Sequence, residues 1–287
     1  MYAVAHHAVA GREVVRPPLV YFGGKINLAD RIVALMPQHD HYVEPYCGSL
    51  AVLLAKPPAA HETVNDLDGD LMTFWRVLRD APEELERACA LTPHSRAEHA
   101  ATYEPMDGVG DVERARRVWV QLTQGRAGIR RATGWRHYQD PSGSTGSMPG
   151  YLAGYVGRMM PAAARLREVS LECRPALDVI RDFGRHPRVL LYVDPPYMAD
   201  TRSSGAYLHE LKAPDHRALL DILTACESAV MLSGYAHPLY EEALTGWDRV
   251  EIKTSTGQGG EWQDRTEVVW CNRPLARQQT LDFEAVS

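Results

Sequence analysis

An apolar run that stops at two prolines constrains the fold of this chain more than any other feature. Residues 189–193 read as a buried strand, and Asp194, Pro195, Pro196 and Tyr197 follow directly. Because proline lacks an N–H and fixes φ, two in succession cannot continue a central strand, so the chain must leave the sheet there. An ionised aspartate and a proline carbonyl are both acceptors, which suits an exocyclic amino group with two hydrogens to donate. The Tyr197 ring adds a surface for base stacking, although an edge turn with an incidental tyrosine would have the same sequence.

A strand–turn–helix unit is predicted near the N-terminus. Tyr42-Val43 forms a short buried strand, Gly48 permits a tight turn, and residues 49–56 form a helix that ends before the next prolines. Asp66 then lies at the end of the following strand, where open α/β sheets place an acid that accepts ribose hydroxyls. No G-x-G-x-x-G sequence lies near this turn. A pyrophosphate cofactor is therefore disfavoured, and a nucleoside cofactor without phosphates, such as S-adenosylmethionine, is favoured.

The order of these motifs resembles that of the Dam-type, or D12-class, adenine methyltransferases. The resemblance is carried by Tyr-Phe-Gly-Gly-Lys at 21–25, Glu-Pro-Tyr-Cys-Gly at 44–48, Asn-Asp at 65–66 and Asp-Pro-Pro-Tyr at 194–197, and it extends from about Leu19 to about Pro274. It implies an α/β fold, a Rossmann-like sheet that uses S-adenosylmethionine, with an inserted, mostly helical target-recognition region. The implied activity is methyl transfer to N6 of a flipped adenine in double-stranded DNA.

The resemblance also implies roles for individual residues. The catalytic residues are Asp194, Pro195 and Tyr197, and the cofactor-binding residues are Tyr21, Lys25, Glu44, Gly48, Asp66 and Asp194. Many relatives carry Gly-x-Gly in the cofactor turn, where this chain has Gly48-Ser49-Leu50. From the residues alone, Lys25 could instead be a surface lysine, Asp66 a turn cap and Glu44 a helix cap.

Basic residues cluster in one segment, although the net charge of the chain is −6. From Arg114 to Arg136 there are seven arginines and no acid, interleaved with tryptophan and glycine. Since the guanidinium group binds phosphates and guanine edges, this segment is predicted to face DNA. The predicted DNA contacts are Arg126, Arg130, Arg131, Arg136 and, in a loop after the catalytic motif, His209. Arg114, Arg116 and Arg117 also suit a solvated helix face, and His209 a salt bridge within a hairpin.

The chain is expected to form one discontinuous α/β domain with an insertion. The predicted parts are an N-terminal tail over 1–18, a catalytic and cofactor-binding domain over 19–75 and 185–274, a helical insertion over 76–184, and a flexible tail over 275–287. Helical periodicity is found over 71–78, 82–90, 112–124 and 151–166, and strand–helix alternation resumes at 189.

The chain is expected to be cytoplasmic and, as a separate prediction, monomeric. No apolar stretch approaches the roughly eighteen residues of a membrane span, and residues 1–18 lack a signal-peptide pattern. The five cysteines are scattered without C-x-x-C spacing, so reduced thiols and no metal are expected. None lies in a Pro-Cys-Gln sequence, which argues against cytosine ring methylation, since that chemistry needs a nucleophilic thiol.

Three other functions fit parts of the pattern. Methylation of cytosine N4 uses the same geometry, because that nitrogen is also an exocyclic amine. Methylation of a protein or RNA amide is usually built around Asn-Pro-Pro-Tyr, and the arginine-rich segment argues against it. A DNA-binding relative without catalysis would keep the fold, but the intact Asp194, Pro195, Tyr197 and Asp66 make it less favoured.

The C-terminal tail contains one further pattern. Gln278, Leu281 and Phe283 form Gln-x-x-Leu-x-Phe, which resembles the short peptide by which bacterial DNA-processing proteins dock on the replication sliding clamp. The two apolar side chains would fill adjacent pockets while the glutamine donates directional hydrogen bonds. Alternatively, Leu281 and Phe283 pack on the protein's own surface.

Overall fold

The computed structural model describes residues 14–137, 147–198, 211–258 and 261–275, with the backbone alone at 254–258 and 261–265. Four residues with predicted roles, His209, Gln278, Leu281 and Phe283, lie outside the described residues. Within the described residues, no helix has the length and apolarity needed to cross a membrane.

A seven-stranded sheet forms the centre of the described chain, in the order β3-β2-β1-β4-β5-β7-β6. The strands are β1 His41–Glu44, β2 His61–Asn65, β3 Val169–Glu172, β4 Val189–Val193, β5 Ala229–Gly234, β6 Asp248–Gln258 and β7 Glu261–Cys271. The first five are parallel, and β7 is antiparallel to both β5 and β6. The order reverses between β1 and β4, which opens a crevice at the carboxyl ends of these two strands. This topology confirms the predicted α/β, Rossmann-like fold.

Helices pack on both faces of the sheet, which explains why β4 and β5 are almost entirely apolar. They are α1 Ala29–Ala34, α2 Ala51–Ala55, α3 Gly69–Asp80, α4 Pro82–Ala90, α5 Arg96–Ala101, α6 Asp111–Gln124, α7 Met148–Val156, α8 Met159–Leu166, α9 Ala176–Phe183, α10 Ala213–Thr224 and α11 Pro238–Ala243. All five residues of β4 are buried, and they alternate between the two faces. Leu190 joins the core around Trp75 and Trp119, whereas Leu191 joins the core around Val179 and Leu219.

The sheet includes a strand from the segment 76–184, which was predicted to be a helical insertion. β3 pairs in parallel with β2, with Glu62 opposite Val169. The chain therefore re-enters the sheet at Val169, before residue 185. α9, which follows β3, contributes Val179 and Ile180 to the core that contains Leu191 and Leu219. The helical part of the insertion therefore ends near Leu166. The helix predicted over 151–166 is two helices, because the chain turns at Gly157 and Arg158 between α7 and α8.

Candidate active site

A cavity of about 230 Å³ lies in the crevice at the carboxyl ends of β1 and β4. The six residues predicted to bind the cofactor, Tyr21, Lys25, Glu44, Gly48, Asp66 and Asp194, all line it. Pro175, Ala176 and Leu177, at the start of α9, complete one wall. The motifs are distant in sequence, and the parallel sheet brings them together because the carboxyl ends of β1, β2 and β4 meet at one edge.

The turn after β1 requires glycine at position 48. Gly48 has a φ of +43°, and a Cβ atom there would lie 2.9 Å from Cε1 of Tyr21. The backbone N–H of Gly48 donates to Oδ2 of Asp66 at 3.1 Å, and its carbonyl accepts from the Trp75 indole at 3.0 Å. Leu50 is also left-handed, with a φ of 56°. Since left-handed backbone is costly for leucine, the Gly48-Ser49-Leu50 turn is held by its surroundings.

Asp66 is fixed at the cavity wall by backbone donors on both sides. Its Oδ1 accepts from the N–H of Asp68 at 3.0 Å, while Oδ2 accepts from Gly48. Asn65 anchors the same strand end, because its side chain donates to the Pro45 carbonyl and accepts from the backbone of Arg174. Asp66 is therefore placed as an oriented acceptor facing the cavity.

Asp194 belongs to a buried cluster with Lys25, Tyr197 and Glu267. Nζ of Lys25 lies 2.9 Å from Oδ1 and 2.8 Å from Oδ2 of Asp194, and 3.8 Å from Glu267. The Tyr197 hydroxyl lies 3.2 Å from Oδ1 of Asp194 and also donates to the Glu267 carboxylate. Lys25 and Glu267 are 5% and 4% exposed, so these charges meet in a medium that strengthens their interaction. The motif aspartate is thus oriented through both of its oxygens.

Burial controls the ionisation of the acids in this region. It raises the pKa of Asp194, against the opposing effects of Lys25 and the Tyr197 hydroxyl. Burial also raises the pKa of Glu267 to about 7, opposed first by the charge of Lys25. The pKa of Glu44 rises to about 8 for the same reason, although a hydrogen bond from the Tyr42 hydroxyl lowers it. One lysine facing two buried carboxylates therefore leaves room for a proton among them near neutral pH.

Glu267 is a site residue that the sequence analysis missed. It lies on β7, immediately before the buried residues Val268, Val269 and Trp270. The sequence signal that could have identified Glu267 is an acidic residue directly before an apolar strand. Its partners are 70 residues or more away in sequence, so no local motif connects it to them.

The four arginines predicted to contact DNA divide into two pairs. Arg126 and Arg131 are exposed, and within the described residues their guanidinium groups make no hydrogen bond or ion pair. Arg130 is 11% exposed and pairs with Asp68 and Asp70, with 2.5 Å between Nη2 and Oδ2 of Asp70. Arg136 donates to the Tyr151 hydroxyl at 2.6 Å. Arg130 and Arg136 are therefore already bound by side chains of the same protein.

The three arginines of α6 also pair within the chain. Arg116 and Arg117 both bind Glu113, and Arg116 additionally contacts Glu98. Arg114 pairs with Asp70 at 3.3 Å. A helix face linked by ion pairs, rather than a nucleic-acid surface, is the arrangement observed for these residues.

Comparison with known proteins connects this geometry to a family. Residues 21–256 match the sequence model described as D12 class N6 adenine-specific DNA methyltransferase. The Type II methyltransferase M1.LlaDCHI of Lactococcus lactis subsp. cremoris is 25% identical over 284 residues, covering 90% of this chain and 95% of the relative. Among solved structures, precorrin 8w decarboxylase from Methanobacterium thermoautotrophicum is 10% identical, with a TM-score of 0.38 and coverage of 90% and 97%. The rRNA methyltransferase AviRa from Streptomyces viridochromogenes is 15% identical, with a TM-score of 0.34 and coverage of 94% and 96%.

Proposed function

The chain belongs to the D12 class of N6 adenine-specific DNA methyltransferases, and on this premise we propose that its cavity binds S-adenosylmethionine beside an adenine amino group held by Asp194 and Pro195. Adenine-N6 methylation of DNA is the activity of the family; the cofactor and the residue roles are the proposed part. The observation that carries the proposal is the convergence of six predicted residues on one cavity, with Asp194 of the catalytic motif at its edge.

The chemistry of the cavity suits this cofactor. Glu44, Asp66 and Asp194 line the wall, and Lys25, the lysine beside them, is already paired with Asp194. Acceptors of this kind fit ribose hydroxyls and cationic groups, whereas a phosphate would meet carboxylates. When bound, S-adenosylmethionine supplies an electrophilic methyl group on a positively charged sulfur. Asp66 would accept the ribose hydroxyls, and the turn at Gly48 would allow the backbone to approach the ligand closely.

Asp194 and Pro195 would activate the target nitrogen. The lone pair of adenine N6 is delocalised into the ring, and in a duplex the base must first leave the stack. Acceptance of its two hydrogens by the Asp194 carboxylate and the Pro195 carbonyl favours a tetrahedral nitrogen with its lone pair directed at the methyl group. Lys25 holds both oxygens of Asp194, so the acceptor is oriented before the base arrives.

The cluster would also receive the proton released by the reaction. Once N6 has gained the methyl group, it must lose one hydrogen to become a neutral secondary amine. Asp194 would accept that proton as the N–H bond breaks, and the Tyr197 hydroxyl would connect it to Glu267. Because burial raises the pKa of Glu267 to about 7, this carboxyl group can hold a proton at neutral pH.

Base stacking on Tyr197 would require a movement. Tyr197 is 7% exposed. Its ring meets the Tyr235 ring edge to face, with 4.6 Å between the ring centroids, and Nζ of Lys25 lies 4.9 Å from the Tyr197 centroid. To stack on a flipped adenine, the ring would have to turn away from these neighbours. The hydroxyl contacts are made without any movement, and they support a role for Tyr197 in orienting Asp194.

Arg126 and Arg131 would supply phosphate contacts for double-stranded DNA, since both are exposed and unpaired within the described residues. His209 remains a predicted contact, and the monomeric state and cytoplasmic location also remain predictions.

Binding measurements with the cofactor product test the proposed site. S-adenosylhomocysteine should bind the wild-type protein, and Asp66→Ala should weaken binding by about tenfold or more through loss of a charged hydrogen-bond acceptor. Asp107→Ala, which changes an exposed aspartate in a loop, should have no effect. Binding of ATP or NAD in place of S-adenosylhomocysteine would contradict the proposal.

A docking role for the tail is proposed separately. Gln278, Leu281 and Phe283 would bind a bacterial sliding clamp, which would bring the enzyme close to nearby duplex. A peptide spanning residues 275–287 should bind the clamp, and the peptide with all three residues replaced by alanine should not. Equal binding of both peptides, or binding of neither, would end this proposal.

A further inference from the structure

The segment predicted to face DNA forms a closed loop, here called the arginine hairpin, over residues 125–136. Gly125 and Trp135 form an antiparallel bridge, the Arg126 N–H donates to the Gly134 carbonyl at 3.0 Å, and the Arg136 N–H donates to Gln124 at 2.7 Å. His94 stacks on Trp135 with 4.3 Å between ring centroids. The hairpin is therefore an ordered element whose position can affect its neighbours.

One contact of the hairpin reaches the Tyr21 side of the cofactor cavity. The Phe22 N–H donates to the Gly128 carbonyl at 2.8 Å. Gly128 has a φ of +63°, and a Cβ atom there would lie 2.7 Å from Val20 and 3.4 Å from the backbone of Tyr21 and Phe22. The hairpin thus packs directly on the segment that carries Tyr21, and Tyr21 in turn covers Gly48.

A second contact reaches the Asp66 side of the same cavity. The guanidinium of Arg130 bridges Asp68 and Asp70, and it also donates to Gln121 at 3.3 Å. Asp68 accepts from the N–H groups of Asp70 and Leu71 at the start of α3, while its own N–H donates to Asp66. Arg130 therefore holds the short turn whose backbone orients the Asp66 carboxylate.

We propose that Arg130 is a positioning residue for the cofactor cavity rather than a DNA contact, and that the arginine hairpin transmits phosphate binding at Arg126 and Arg131 to the cavity. The hairpin contacts both sides of the cavity, through Gly128 and through Arg130, while Arg126 and Arg131 are exposed to solvent. Because S-adenosylmethionine binding is itself proposed, this inference rests on the proposed function. Two neighbouring arginines thus have different roles: Arg130 positions the cavity and Arg131 binds phosphate.

A matched pair of variants separates these tasks. Arg130→Gln and Arg131→Gln make the same substitution at adjacent positions, one buried against two acids and the other exposed. The measurements are titration with S-adenosylhomocysteine and binding of a mixed-sequence duplex between about 50 and 200 mM salt, a range in which phosphate contacts dominate affinity. Thermal unfolding of each variant shows that the protein is folded.

The two variants should behave in opposite ways. Arg130→Gln should weaken S-adenosylhomocysteine binding by about tenfold or more, because Asp68 loses its counter-ion and Asp70 keeps only Arg114. It should leave the salt slope of duplex binding unchanged. Arg131→Gln should leave the S-adenosylhomocysteine affinity unchanged and make the salt slope shallower by about one. In the wild type, saturating S-adenosylhomocysteine should change duplex affinity by about fivefold or more, and in Arg130→Gln that factor should fall towards one.

Asp70→Asn gives a milder test if Arg130→Gln unfolds, because Arg130 keeps its contact with Asp68. Asp70→Asn should weaken S-adenosylhomocysteine binding by a smaller factor than Arg130→Gln. An unchanged S-adenosylhomocysteine affinity would contradict the proposal. A reduced salt slope in Arg130→Gln with unchanged S-adenosylhomocysteine affinity would show that Arg130 contacts DNA and would overturn the inference. A wild-type coupling factor of one would overturn the transmission step. If the wild type binds no S-adenosylhomocysteine, the proposed function fails instead.

Discussion

Replacement of Glu267 by glutamine tests whether the cluster around Asp194 holds a buried acid that resists ionisation. Burial raises the pKa of Glu267 to about 7, compared with an ordinary value of 4.5. At about 1.4 kcal/mol per pKa unit, ionisation of this acid in the folded protein costs about 3 kcal/mol. The folded protein binds the proton more tightly than the unfolded chain, so this cost is absent below about pH 4.5 and complete above about pH 7. Glutamine cannot ionise, and the variant should escape the cost.

Urea unfolding of both proteins at about pH 5 and about pH 8 measures the difference. The free energy of unfolding of Glu267→Gln, relative to the wild type, should rise with pH by up to about 3 kcal/mol. Glu242→Gln is the matched control because Glu242 is exposed on α11, and it should show no such rise. If the difference between Glu267→Gln and wild type were the same at both pH values, the assignment of a buried acid with a raised pKa would be refuted.

Three other variants have distinct expected outcomes. Asp194→Ala should lower the methyl-transfer rate by about 100-fold or more while duplex binding persists, and a rate above about a tenth of wild type would show that Asp194 is not the acceptor. Arg126→Gln combined with Arg131→Gln should weaken duplex binding and make its salt slope shallower by about two, with S-adenosylhomocysteine affinity unchanged; an unaltered slope would remove these residues from the DNA surface. Gly48→Ala should weaken S-adenosylhomocysteine by about tenfold, because the new Cβ strains a left-handed backbone and meets Tyr21; unchanged affinity would show that the turn tolerates a side chain.

Local sequence signals predicted the central parts of the fold and of the cavity. β1 is a short strand in which Tyr42 and Val43 are buried and after which Pro45 follows, and β4 is an apolar run that stops before Asp194 and Pro195. Each signal lies within about ten residues of chain. β3 was missed because Val169–Glu172 is only four residues long at the sheet edge, with one residue fully buried. Its identity as a strand depends on pairing with β2, more than 100 residues earlier in the chain.

The site residues that escaped prediction were those with distant partners. An arginine-rich sequence does not reveal whether a guanidinium faces phosphate or an acid of the same chain, and the partners of Arg130 lie 62 and 60 residues away. Glu267 likewise meets Tyr197 only because β7 lies beside β5, next to β4. Motif order predicted which residues line the cavity, whereas tertiary packing decides which charges neutralise one another.

Identification of the methylated nucleoside is the most direct test of adenine-N6 methyl transfer at Asp194. A mixed-sequence duplex would be incubated with the protein and S-adenosylmethionine carrying a deuterated methyl group, digested to nucleosides and analysed by mass spectrometry. We predict that the label appears in N6-methyldeoxyadenosine and is absent when Asp194→Ala replaces the wild type. Label in N4-methyldeoxycytidine would contradict this prediction. So would DNA without any label under conditions where S-adenosylhomocysteine binds the protein.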